Sequence, residues 1–176
     1  MDVLITDIDA RDLREVISDK LGIKYLSDSN HEHNGNVKGI VYGEFYRLIC
    51  SLTVKIKEKI KFVHFIVDTG SKITYLSEDA MLAFGLSVTD PSLIIDARIN
   101  NKEALVMLST SHFSELNILG AQFLKSSGAN LFTEYHNNSF TLAFPRICKI
   151  SASTVQSAFY RLKRFKADLL NLILKG

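Results

Sequence analysis

An apolar run, Phe65-Ile66-Val67, delivers one acid, Asp68, to a turn of Thr69-Gly70-Ser71. The glycine lets the backbone reverse straight after the acid. Asp68 is therefore the chain's candidate for carboxylate chemistry. Farther on, Leu116-Asn117-Ile118-Leu119 is a second apolar run, and it ends at Gly120, which opens a helix through Ala121-Gln122-Phe123-Leu124. A plain Asp-Gly-type turn between two strands accounts for residues 68–71, but it leaves the second run and its glycine unexplained. The histidines offer less. His31 and His33 share a polar loop with Asp28 and Glu32, where a solvated loop is a simpler reading than a metal site. His64 alternates with strand residues and reads as surface or core. No Cys-His cluster and no phosphate-binding glycine loop is present, so neither a metal nor a cofactor is expected.

The elements that hold the two runs read mostly as strands. Residues 37–46 and 48–56 are rich in β-branched and aromatic side chains, and 62–67 returns as an apolar strand after a turn near Glu58. The lysines at 55, 57, 59 and 61 suit the exposed face or edge of that hairpin. Ser77 caps a short helix over 77–84, with Glu78 and Asp79 in its first turn and Gly85 at its end. Strands at 93–99 and 104–109 flank the turn Asn100-Asn101-Lys102. A second short helix over 120–127 precedes a hairpin of 131–135 and 140–144, and Pro145 closes the β region.

Different elements are expected at the two ends. Residues 3–5 read as a strand. Asp9 caps a helix over 10–21, with Leu13, Val16, Ile17 and Leu21 on one face and Gly22 as its stop. Residues 27–36 form a polar loop. Residues 151–174 read as one long helix, whose Val155, Ala158, Leu162, Phe165, Leu169 and Leu172 make a coiled-coil-like seam. The expected organisation is a helical appendage and linker at 1–30, a mainly β domain at 37–145 and an amphipathic basic helix at 151–175.

The composition suits such a domain. The 176 residues are 47% hydrophobic and 23% charged, which supports a packed core and excludes a wholly disordered chain. A net charge of +2 argues against a globally basic nucleic-acid binder. The charge divides unevenly, with an acidic head over residues 1–30 and a basic tail over 151–176. Cys50 and Cys148 allow at most one bridge and read as buried free thiols. The start, Met1-Asp2-Val3-Leu4-Ile5-Thr6-Asp7, lacks the basic segment and apolar run of a signal peptide, and no stretch of about 18 apolar residues occurs. A soluble, intracellular and cytoplasmic protein without a membrane span is the expectation.

Between about Leu48 and Phe144, the order of features resembles the retropepsin-like aspartic proteases, the retroviral and retroelement proteases and their cellular relatives. The shared features are the apolar strand into Asp68-Thr69-Gly70, the following helix, Ile118-Leu119-Gly120, the second helix and a closing hairpin. The resemblance implies a single-lobe acid-protease β-barrel and hydrolysis of peptide bonds in a polypeptide substrate. Two carboxylates would share one proton and activate a water, because two like charges so close cannot both ionise cheaply. It casts Asp68 as the catalytic aspartate and Thr69 as the threonine that hydrogen-bonds across the two halves. Gly70 is then the glycine lying against bound peptide, Ser71 fills the small position beside it, and Ile118, Leu119 and Gly120 are the structural motif next to the site. The chain has no second Asp-Thr-Gly or Asp-Ser-Gly. A protease built this way needs a two-fold homodimer with an Asp68/Asp68′ dyad.

The chain departs from the family pattern in several places. No glycine lies between Gly85 and Gly120, where family members carry a glycine-rich flap hairpin. The expectation is a truncated flap or none, with Thr89-Asp90-Pro91-Ser92 the one turn left for it. Lys72 and Ala121 stand where retroviral members often place an acid and a basic partner, and Gln122 stands where many have Asp or Asn. The alternative reading is a weakly active or inactive binding and oligomerisation module, and a further one is a retroelement fragment kept for assembly. The C-terminal seam reads first as a helix docked on its own domain and next as a dimerising helix. Contact of Arg161, Lys163, Arg164 and Lys166 with nucleic acid or a membrane surface is the lesser alternative.

Overall fold

A computed structural model describes residues 7–145. The expected strand at 3–5, Cys148 and the helix at 151–174 with its seam and basic face lie outside the described residues. Nine strands form one sheet: β1 (Val37–Tyr42), β2 (Arg47–Ile56), β3 (Lys59–Asp68), β4 (Thr74–Leu76), β5 (Ile95–Ile99), β6 (Lys102–Leu108), β7 (Ile118–Gly120), β8 (Asn130–Glu134) and β9 (Ser139–Ala143). Among the described residues four short α-helices accompany them: α1 (Ala10–Arg14), α2 (Val16–Leu21), α3 (Glu78–Ala83) and α4 (Ala121–Ser127).

Strand order runs β3-β7-β4-β6-β5-β2, and β2 also pairs with β3, so these six strands close into a barrel. From β2 the sheet continues outward through β1 and β9 to β8. This mainly β barrel matches the fold class that the resemblance implies. Its interior is apolar: Ile49, Leu52, Phe65, Leu76, Ile99 and Leu119 are almost fully buried.

Local chemistry accounts for most boundaries. β5 and β6 join through Asn100 and Asn101, both at positive φ, which a two-residue hairpin turn favours and Asn tolerates. Lys102 already belongs to β6, so the turn is one residue shorter than expected. Ser77 accepts from the Ala80 amide and caps α3 as expected. Gly128 at φ +66 ends α4.

Two elements differ from the sequence expectation. The helix over 10–21 is two helices, broken at Glu15. There the Ser18 hydroxyl donates to the Leu13 carbonyl at 3.0 Å, offering that carbonyl a partner other than the helical ladder. The strand expected from 93 begins at Ile95, because Asp90 holds Ser92 and Leu93 in a local turn.

The N-terminal segment packs on the barrel. Leu13 and Ile17 are fully buried. Asp7 pairs with Arg47 at 3.3 Å, Arg14 pairs with Asp79, and Asp28 pairs with Lys61 at 2.7 Å. The Leu26 amide donates to the Phe62 carbonyl, and the Phe62 amide to the Ser27 carbonyl. That stretch therefore covers the part of the β3 edge that β7 does not reach. No helix among the described residues is long and apolar enough to cross a membrane.

Candidate active site

Asp68 is the last residue of β3 and is half-buried. Thr69 and Gly70 are exposed and Ser71 is half-buried. The Gly70 amide donates to Asp68 Oδ1 at 2.9 Å, and the Ser71 amide to the Asp68 carbonyl at 3.3 Å. One carboxylate oxygen is thereby oriented by the turn that follows it. A side chain at position 70 would bring a Cβ to 3.2 Å from that oxygen, so the glycine also clears room for it.

The rest of the loop is fixed from below. β7 runs parallel to the end of β3, with Ile66 opposite Ile118, Val67 opposite Leu119 and Asp68 opposite Gly120. On its other side β7 meets β4 through Tyr75 and Ile118. Residues 69–73 join β3 to β4 and therefore straddle the end of β7. At the crossing, Gly120 lies so close to the Ile73 backbone that any Cβ would overlap the Ile73 carbonyl. The Gly120 amide donates to Thr74 Oγ1 at 3.1 Å. The first amides of α4, from Ala121 and Gln122, donate to the Ser71 and Lys72 carbonyls at 2.8 and 3.0 Å. Helix amides that would otherwise lack partners thus clamp the Asp68 loop.

The residues quoted from the sequence therefore come together: Asp68, Thr69, Gly70 and Ser71 form the loop, and Ile118, Leu119 and Gly120 form its floor. Lys72 and Gln122, noted as departures, meet through backbone atoms at the clamp. Sequence reading missed the supports behind it. Asn117 and Ser77 are buried and linked, the Ser77 amide donating to Asn117 Oδ1 at 2.9 Å. Ser109 Oγ donates to the Leu116 carbonyl at 2.7 Å. The one signal for Asn117 was a polar residue inside an apolar run.

The other candidates lie elsewhere. His31 and His33 are exposed, Asp28 is engaged by Lys61, and Glu32 pairs with Arg98 at 3.3 Å. His64 is fully buried on β3, and burial lowers its pKa to about 4, so it is neutral near pH 7. Burial pushes the Cys50 thiol up to about 12, which leaves no thiolate for nucleophilic chemistry. Residues 86–94 form no strand, so the stretch around Thr89-Asp90-Pro91-Ser92, the one turn left for a flap, tips no hairpin.

No family model and no curated protein matches the chain. Among solved structures it is similar to a retropepsin-like aspartic protease from Rickettsia conorii, at 12% identity and a TM-score of 0.44. That match covers 67% of this chain and 97% of the other.

Proposed function

We propose that the chain is one half of a homodimeric aspartic endopeptidase. Its Asp68 and the same residue of a second copy share a proton and activate a water for attack on a peptide bond. The observation that carries this reading is the clamp on Asp68: a half-buried carboxylate at a strand end, oriented by the Gly70 amide, above a glycine that admits no side chain. Such preorganisation is what acid–base chemistry at a fixed water requires; the Gly70 bond alone is an Asx-turn, and the contacts from Gly120 and the α4 amides are what an ordinary turn lacks. Exposed Thr69 would reach the second copy, and no cofactor takes part.

The edge that suits the dimer is β8. Among the described residues its single strand neighbour is β9. It carries neither Lys nor Pro, and Phe132 on it is 61% exposed. Phe132→Glu is expected to weaken self-association by about tenfold or more, since it replaces an exposed apolar side chain on that edge by a charge that must be desolvated on pairing. Sedimentation of both proteins at matched concentration reads this, and an unchanged mass would remove β8 as the dimer edge.

A second reading, a module that keeps the fold without cleaving, is favoured by the missing hairpin at 86–94, because a site without a closing element excludes water poorly. Incubating wild type and Asp68→Asn with a peptide library at acidic and neutral pH separates the two. The endopeptidase reading requires new fragments from wild type alone, and indistinguishable digests favour the module.

A further inference from the structure

Behind the Asp68 loop, three distant parts of the chain meet at one buried side chain. The Asn117 amide group must present its oxygen to the Ser77 amide at 2.9 Å and its nitrogen to the His64 carbonyl at 3.1 Å. Those two backbone partners fix its orientation, because an N–H needs an acceptor and a carbonyl needs a donor. The remaining Nδ2 hydrogen then points to the Tyr25 hydroxyl at 2.7 Å. Tyr25 accepts there and shares a second hydrogen bond with Ser77 Oγ at 3.2 Å, in which either hydroxyl can donate. Ser77 Oγ in turn accepts from the Ala80 amide and caps α3. Asn117, Ser77 and Tyr25 are all buried, so none of these bonds is exchanged for water at low cost.

The connectivity of these bonds matters. Asn117 directly precedes β7, and its carbonyl accepts from the Ile66 amide at 2.9 Å. Its side chain therefore sets β7 against both β3 and the start of α3, immediately upstream of the Asp68–Gly120 pairing. Tyr25 is held in turn by the N-terminal helices: its amide donates to Ser18 Oγ at 3.0 Å, and Ser18 donates to the Leu13 carbonyl.

We propose that Tyr25 is a positioning residue for Asp68, acting through Asn117 on the register of β7. The N-terminal segment is then a working part of the site and not a detachable appendage. Asp68 enters here as the reacting carboxylate, so the proposal rests on the endopeptidase reading for its functional meaning but not for its structural test.

The test is Tyr25→Phe in the full chain, which keeps the ring in the core and removes only the hydroxyl. Amide hydrogen exchange is followed at Ile66, Gly120, Ala121 and Gln122, with the Thr141 and Phe140 amides of β9 as reference. Exchange at the four site amides is expected to rise about five- to tenfold, the loss of roughly one hydrogen bond, with the reference unchanged. Against a cleaved peptide the variant is expected to lower kcat with KM nearly constant, as misplacement of a reacting group does. Unchanged protection at the site amides would overturn the proposal. So would an equal rise at β9, which would make Tyr25 a general core residue. If wild type and Asp68→Asn both fail to cleave, the endopeptidase reading falls while the exchange result still decides the positioning role.

Discussion

The loop that carries Asp68 and the segment 86–94 lie on either side of α3, and they are held in opposite ways. The loop is bonded from three directions: by its own turn at Gly70, by the α4 amides, and by Thr74 against Gly120. The segment packs Leu86 and Val88 on the core, but from Asp90 onward it is tied to itself, through Asp90 to Ser92 and Leu93, and it leaves Leu93 and Ile94 about half exposed. Positioning a carboxylate and excluding water are separate requirements of acid–base catalysis. The barrel orients one carboxylate, that of Asp68, within one chain. For the second requirement, the described residues offer only an apolar-edged stretch without a hairpin.

Substitutions in the two regions should therefore differ in size. The largest stability effect is expected at Gly120. Gly120→Ala drives a Cβ into the Ile73 backbone and should cost about 4 kcal/mol in urea unfolding, with loss of any cleavage. A cost under about 1 kcal/mol would mean that the clamp yields easily and that the contrast between the regions is false.

Acid should weaken the locked region next. His64 lies on β3 near Asp68 and keeps a pKa of about 4 when folded, against an ordinary value of 6.5. The unfolded chain takes up this proton as pH falls from about 6.5, and the folded chain does not until about 4. Its contribution is therefore intact above pH 6.5 and is lost as pH falls through the folded pKa, by about 3 kcal/mol in all. His64→Gln should flatten that part of the stability profile, as measured by urea unfolding at stepped pH. A profile as steep as wild type would assign the acid sensitivity to other groups. The smallest effect belongs to the open segment: Ile94→Ser should shift stability by less than about 0.5 kcal/mol. A larger loss would show that the end of the segment at Ile94 is packed and not open.

What could be read in the sequence follows the range of the interactions. Asp68-Thr69-Gly70 and Ile118-Leu119-Gly120 were legible because each is a local run ending at a glycine, and the caps of α3 and α4 were legible for the same reason. The family resemblance grouped those runs as one site, but their parallel pairing was not read, since nothing local dictates it. Tyr25 and Asn117 were not legible as a pair, because they meet only after the barrel closes around them. Glu15 gave no sign of a helix break, because that break depends on Ser18 turning back to Leu13 beneath two buried apolar side chains. The missing hairpin at 86–94 was foreshadowed by an absence of glycine, a compositional signal that needs no tertiary knowledge.

The central claim is that the clamped Asp68 carboxylate performs the chemistry. The most direct measurement is the rate of peptide cleavage by wild type and by Asp68→Asn across acidic to neutral pH, with dimer formation verified for both. Asparagine keeps the size of the side chain and an oxygen for the Gly70 amide, so the fold and the dimer should survive. The account predicts a loss on the order of a thousandfold in cleavage at every pH. Equal rates from the two proteins, or no cleavage by a verified wild-type dimer at any pH, would contradict it.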